Sequence, residues 1–141
     1  MDIRSLTPDY AVTPQIEPTD VPAIKDAGFT AVICNRPDPE NPMELQAEVL
    51  RAAVEAAGLT FIENPIVPGQ LTVENVQAQA TAQAEAPGPV LAYCASGTRS
   101  SIAWSLSQAG KIPTEEIIAA AARAGYDLSH LAPQIDAMGK V

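Results

Sequence analysis

The stretch Pro89-Val90-Leu91-Ala92-Tyr93-Cys94-Ala95-Ser96-Gly97-Thr98-Arg99-Ser100-Ser101 changes character in its middle. Residues 89–93 are an apolar run of strand length, and residues 100–108 read as a helix. A buried strand therefore delivers Cys94 to a tight, glycine-containing loop, and a helix starts as the loop ends. Such a loop turns successive backbone N–H groups inward. The helix N-terminus adds unpaired donors and a partial positive charge. Arg99 adds a fixed cation with a planar donor fork. The cradle favours an anion, either a bound oxyanion or the reactive thiolate form of a cysteine. Cys94 is thus a candidate nucleophile, Arg99 its anion clamp, and Ala95, Ser96, Gly97, Thr98 and Ser100 the anion-binding loop. A buried structural cysteine before a serine-rich helix cap is the competing reading. The joint occurrence of Cys94, Gly97, Arg99 and Ser100 at a strand-to-helix switch, where open α/β sheets place ligands, favours the functional one.

Composition sets the frame around this loop. The chain has 141 residues, the size of one ordinary domain. It is 47% hydrophobic but only 4% aromatic, so its core is built mainly from Ala, Val, Ile and Leu. A net charge of -9 argues against nucleic acid or an anionic membrane as partner. The anion site is then a local positive spot on a negative molecule. No apolar run approaches the ~18 residues of a membrane span. Met1-Asp2-Ile3-Arg4 has no apolar signal core, so the expected location is cytoplasmic. One histidine, His130, and two distant cysteines, Cys34 and Cys94, offer no metal-ligand set, and no cofactor is expected. His130 reads as a surface residue.

Outward from the cysteine loop, strands and helices alternate. Residues 1–9 read as a polar lead-in and residues 10–13 as a first strand ended by Pro14. A short helix with Pro22 in its first turn ends at Gly28. Residues 29–34 form a β-branched, apolar second strand, the mark of a buried parallel strand. Three prolines within residues 35–42 then forbid both helix and central strand. This stiff loop carries Asn35, Arg36 and Asp38 at the carboxyl end of a strand, where cleft residues belong; a surface turn with an Arg–Asp pair is the equal alternative. Residues 43–57 show helical spacing of Leu45, Val49, Ala52 and Ala56. A third strand spans residues 59–62, and Glu63 opens another loop at a strand's carboxyl end. Thr72 with Asn75 starts a helix to about residue 85. After the cysteine loop and its helix, helices follow over residues 114–123 and 128–138, the latter within a C-terminal helix or tail at 126–141. The alternation gives an α/β fold with a largely parallel sheet, in a single domain over residues 1–141. Cys34 ends a buried strand and reads as structural, with a resolving thiol for Cys94 as the alternative.

Three stretches resemble a known family: V-I-C-N-R-P-D at residues 32–38, P-G-P-V-L-A-Y-C-A-S-G-T-R-S at 87–100, and A-A-R-A-G-Y-D-L at 121–128. They are similar to the bacterial beta-lactamase-hydrolase-like family of small phosphatase-like domains, over residues 10–131. The resemblance implies the three-layer fold of dual-specificity protein tyrosine phosphatases. It also implies one of two activities, since members are described both as phosphatases and as sulfurtransferases, often beside or fused to persulfide dioxygenase domains.

Three departures bear on the choice. Phosphatases of this fold use C-x-x-x-x-x-R, whereas only four residues separate Cys94 from Arg99, a spacing found in many rhodaneses. The loop that carries the aspartate general acid in those phosphatases corresponds to residues 65–70, which hold no Asp or Glu; Asp38 or Glu63 would have to stand in. General acid–base assistance is typically worth about 10²–10⁴-fold. Family members often have a basic residue after the cysteine, and here it is Ala95. The Ala95 change weakens the anion site for both chemistries, while the spacing and the missing aspartate favour a rhodanese-like sulfurtransferase. Cys94 would take sulfane sulfur from thiosulfate or a persulfide, hold it as a persulfide, and pass it to a thiol such as glutathione or to cyanide. Ser100 would donate a hydrogen bond to the cysteine sulfur. The alternative is a cysteine-dependent phosphatase acting on a phosphoester through a phosphocysteine intermediate. A third reading is a binding or oxidation-sensing module.

Overall fold

The computed structural model describes residues 1–140. Its strands are β1 (Arg4–Thr7), β2 (Tyr10–Thr13), β3 (Ala31–Cys34), β4 (Thr60–Glu63) and β5 (Val90–Tyr93). They form one sheet in the order β1-β2-β5-β3-β4. β2, β5, β3 and β4 run parallel, and β1 closes the edge antiparallel to β2. The helices are α1 (Val21–Asp26), α2 (Ala47–Ala56), α3 (Val73–Glu85), α4 (Thr98–Ser107), α5 (Thr114–Arg123) and α6 (Ala132–Met138).

The period-two geometry of a strand splits its side chains between two faces. Tyr10, Val12, Ala31, Ile33, Val90 and Ala92 pack with Val76, Trp104, Ile117 and Ile135 from α3 to α6. Their sequence neighbours Ala11, Val32, Leu91 and Tyr93 pack on the opposite face with Ile24, Leu50 and Val54 from α1 and α2. The result is a three-layer α/β arrangement with helices on both faces of the sheet. All residues of β2, β3 and β5 are buried, which is why these strands read as near-continuous apolar runs.

The structure revises some boundaries. Arg4–Thr7, within the expected lead-in, is a strand; only Leu6 of its four residues is buried, so no apolar pattern marks it. The helix expected over residues 43–57 starts at Ala47, because Gln46 is extended with ψ 161° and a 3₁₀ turn at Met43–Leu45 precedes it. The helix expected over 128–138 begins at Ala132, with Pro133 in its first turn, after a 3₁₀ turn at Ser129–Leu131. Among the described residues, no helix is long and apolar enough to cross a membrane.

Register places the site. Thr13 and Cys34 both lie opposite Tyr93, and Glu63 lies opposite Cys34. Four parallel strands therefore end level, and the segments that follow emerge at one edge. Backbone bonds from Asn35 N–H to the Tyr93 carbonyl (2.8 Å), Asn64 N–H to Cys34 (2.9 Å) and Ile66 N–H to Asn35 (3.0 Å) tie these segments together.

Candidate active site

β5 ends at Tyr93 and α4 begins at Thr98, so the loop between them is only Cys94 to Gly97. Gly97 precedes the helix with φ +93°, a left-handed conformation that L side chains rarely adopt. This turn aims the Gly97 N–H at Cys94 Sγ, 3.1 Å away. Cys94 is 1% exposed, so the sulfur lies on the floor of the loop while Ala95, Ser96 and Thr98 line its open side.

Arg99, in the first turn of α4, is held on one edge. Its Nη1 donates to Glu40 Oε2 (2.8 Å) and to the Ile66 carbonyl (2.7 Å), and its Nη2 donates to Glu40 Oε1 (2.7 Å). A guanidinium has five N–H donors. Among the described residues, these bonds leave the Nε proton and one Nη2 proton as a two-donor fork with no oxygen partner, close to the Cys94 sulfur. The Arg99 guanidinium is held above its ordinary value, first by the bond with Glu40 and also by the Cys94 sulfur. Glu40 is held below the ordinary carboxylate range, first by Arg99 and further by Arg36, against the opposing effect of its own partial burial. Arg36 donates from Nε to Glu40 Oε1 (3.2 Å) and from Nη2 to the Glu40 carbonyl (3.2 Å). One carboxylate thus joins two arginines, one from its own loop and one from the first turn of α4.

The other expected cleft residues have different roles. Asp38 Oδ1 accepts from the Ala47 N–H at 2.8 Å and caps α2. Glu63 is exposed and pairs with Arg51 at 3.3 Å. Asn35 is fully buried and structural: its Nδ2 donates to the Asn64 carbonyl (2.9 Å) and to Gln79 Oε1 (3.2 Å). Gln79 also accepts from Asn64 Nδ2 and donates to the Tyr10 hydroxyl, each at 2.9 or 2.8 Å. Tyr10 in turn donates to the Ser100 carbonyl at 2.8 Å. A buried polar chain therefore runs from the residue after β3 through α3 and β2 to the first turn of α4. Burial pushes the Tyr10 phenol well above the tyrosine range, so it stays a donor.

Ser100 differs from expectation. Its Oγ, buried at N3 of α4, has no hydrogen-bond partner among the described residues, and the donor to the sulfur is the Gly97 amide. Cys34 is buried, donates to the Arg36 carbonyl (3.4 Å), and burial pushes its thiol up. His130 is exposed. Among the described residues, no group of three or more His, Cys, Asp or Glu is placed to hold a metal ion.

Sequence reasoning missed Glu40 and Tyr126. Glu40 stands four residues after Arg36, a spacing that matters once the prolines force a 3₁₀ turn at Asp38–Glu40. Tyr126 sits in the A-G-Y-D-L stretch, where nothing but the resemblance marked it. Its hydroxyl donates to the Ser96 carbonyl at 2.9 Å. A cleft of about 560 Å³ opens beside Glu40 and Arg36, bordered by Thr13, Gln15 and Asn41. Another of about 570 Å³, bordered by Asp9, Gly88 and Lys111, includes no residue of the cysteine loop.

The model of the family described as "Beta-lactamase hydrolase-like protein, phosphatase-like domain" matches residues 2–111. The beta-lactamase hydrolase-like protein of Xylella fastidiosa is 33% identical over 103 residues, which are 72% of this chain and 24% of that protein. The chain spans about a quarter of the length of the curated relatives it matches. Among solved structures, a candidate phosphatase from Neisseria meningitidis superposes with TM-score 0.83 at 31% identity, covering 98% of this chain and 99% of that one. Pseudomonas aeruginosa TpbA, solved in complex with phosphotyrosine, shares the fold with TM-score 0.68 at 13% identity, covering 99% of this chain and 88% of its own. The chain belongs to the beta-lactamase hydrolase-like, phosphatase-like domain family.

Proposed function

We propose that the chain is a cysteine-dependent phosphatase acting on phosphomonoesters whose leaving group needs little protonation, such as aryl phosphates. The observation that carries this reading is the joint placement of Cys94 Sγ, the Gly97 N–H and the Arg99 donor edge turned away from Glu40 at the start of α4. The similarity to phosphatase structures supports the same reading and ranks it above sulfur transfer. Cys94 Sγ attacks phosphorus in line. The P–O bond to the leaving group breaks, and the leaving oxygen takes the electron pair. Arg99 and the loop amides hold the non-bridging oxygens, where charge is greatest. Water then attacks the phosphocysteine, releases inorganic phosphate and restores the thiolate, giving its proton to solvent.

The preference for aryl esters follows from the carboxyls. Asp38 caps α2, Glu63 pairs with Arg51, and Glu40 is shared between two arginines. None is a free acid, so a leaving oxygen of low basicity is favoured. The same observation, together with the four-residue spacing, supports a second reading, transfer of sulfane sulfur through a Cys94 persulfide. Thiosulfate and persulfides lose leaving groups that need no proton.

The test runs p-nitrophenyl phosphate and an alkyl phosphate in parallel with thiosulfate plus cyanide. The expected result is Cys94-dependent phosphate release, much faster from the aryl ester, and abolished in Cys94→Ser. Thiocyanate formation without phosphate release would replace the first reading with the second.

A further inference from the structure

We infer that Tyr126 is a positioning residue that sets the orientation of the Ser96–Gly97 peptide, and through it the donor face of the anion loop. The inference deepens the reading of Cys94 and its loop as the reacting site and rests on it. The argument is geometric. The Ser96 carbonyl and the Gly97 N–H belong to one peptide unit. No cis peptide bond occurs among the described residues, and a trans unit points its C=O and N–H in opposite directions. On one side, Tyr126 Oη donates to the Ser96 oxygen at 2.9 Å. On the other, the Gly97 N–H reaches Cys94 Sγ at 3.1 Å. The phenol therefore pins the peptide with its N–H toward the sulfur. The flipped alternative would turn a carbonyl lone pair toward the thiolate or bound anion.

The surroundings fix the phenol itself. Gly125, with φ +99°, ends α5 and redirects the chain, and the Tyr126 N–H returns to the Ala121 carbonyl at 2.9 Å. The Arg4 guanidinium lies over the Tyr126 ring, 5.7 Å from its centroid, and donates to the Ala124 carbonyl at 3.1 Å. A Cβ on Gly97 would run into the Tyr126 hydroxyl and then its Cζ at 3.0 Å. Glycine at 97 thus serves the left-handed turn and the approach of the phenol together. Burial keeps the phenol protonated and able to donate. This buttress comes from beyond residue 111, where the family match ends.

The test is Tyr126→Phe, which keeps the ring and removes the one donor. Three readouts are taken: the alkylation rate of Cys94 by iodoacetamide at fixed pH, inhibition by inorganic phosphate, and the thermal midpoint. Alkylation and phosphate affinity are each expected to fall roughly two- to tenfold, the range of one net hydrogen bond, with the ring's packing retained. Wild-type values for both in the Phe variant would overturn the inference. So would equal losses in an Ile118→Ala variant matched to the same thermal midpoint, because these would trace to stability alone. If Tyr126→Phe does not fold, NMR on the wild-type chain decides: slow exchange of the Tyr126 hydroxyl proton supports the bond, and fast exchange overturns it. Alkylation needs no turnover, so loss of the phosphatase reading and loss of this inference are separately visible.

Discussion

Replacing Glu40 by glutamine asks whether Arg99 is aimed by its carboxylate or blocked by it. Glutamine preserves the shape but keeps only one acceptor oxygen, and its NH₂ faces a guanidinium donor. One of the two charge-assisted bonds, at 2.7 and 2.8 Å, is therefore lost. A hydrogen bond to a charged group contributes about 1.5–3 kcal/mol. The side chains retain 14% and 26% of their exposure, which screens the pair and reduces the expected loss to about 1–2 kcal/mol. If the carboxylate's role is to hold one edge of Arg99 so that the other meets the substrate, kcat/KM for p-nitrophenyl phosphate falls roughly five- to thirtyfold. The control is a double-mutant cycle. In an Arg99→Ala background, Glu40→Gln is expected to change the rate by less than about twofold, because nothing remains to be aimed. Two outcomes refute the reasoning. Additive losses would give Glu40 a role independent of Arg99, and a faster Glu40→Gln enzyme would mean that the carboxylate competes with substrate.

Other consequences follow from the same contacts. The Glu40 carboxylate lies below its ordinary value of 4.5, so its contribution to stability is present above that value and lost as pH falls through the lowered one. Urea midpoints measured from about pH 6 to pH 3 should fall less steeply in Glu40→Gln than in wild type; parallel profiles would contradict this. Asp38→Ala removes the cap on Ala47 and should cost about 0.5–2 kcal/mol of stability with kcat nearly unchanged. A loss of about a hundredfold in kcat at unchanged stability would instead make Asp38 the general acid. Cys34→Ala should retain turnover, since the thiol is buried and bonded to the Arg36 carbonyl. After peroxide treatment, an intact-mass loss of two hydrogens in wild type but not in this variant would identify Cys34 as a resolving thiol.

Most of the fold was legible because burial on both faces leaves a plain trace. β2, β3 and β5 are buried at every position and have a Pro or Gly within a few residues of each end, so apolar runs with turn residues locate them. β1 left no trace, since one buried Leu6 among Arg, Ser and Thr has no period. It forms because β2 needs a neighbour at that edge, which is a tertiary requirement. The start of α2 was misplaced for a related reason. Its first N–H group is satisfied by Asp38, nine positions earlier, so the cap lies outside the local window in which helix starts are recognised.

The site divides along the same line. In the candidate site, Cys94, Gly97 and Arg99 are legible because strand, turn and helix N-terminus follow one another within a few residues, and that order brings their donors together. The residues that hold them are remote in the chain: Glu40 reaches Arg99 across 59 positions and Tyr126 reaches Ser96 across 30. The sequence leaves the Asn35–Pro42 loop as either a cleft element or a surface turn, and within it points to Asp38, the nearer carboxylate to the strand, over Glu40. The prolines decide between them. Pro37, Pro39 and Pro42 lock the 3₁₀ turn that commits Asp38 to α2 and swings Glu40 toward Arg99. Loosening that turn with Pro39→Gly should therefore weaken both contacts together. The expected result is a lower urea midpoint and a reduced kcat/KM, with the Glu40→Gln effect diminished in that background. A Pro39→Gly enzyme with wild-type turnover would mean that the arginines alone hold Glu40 in place.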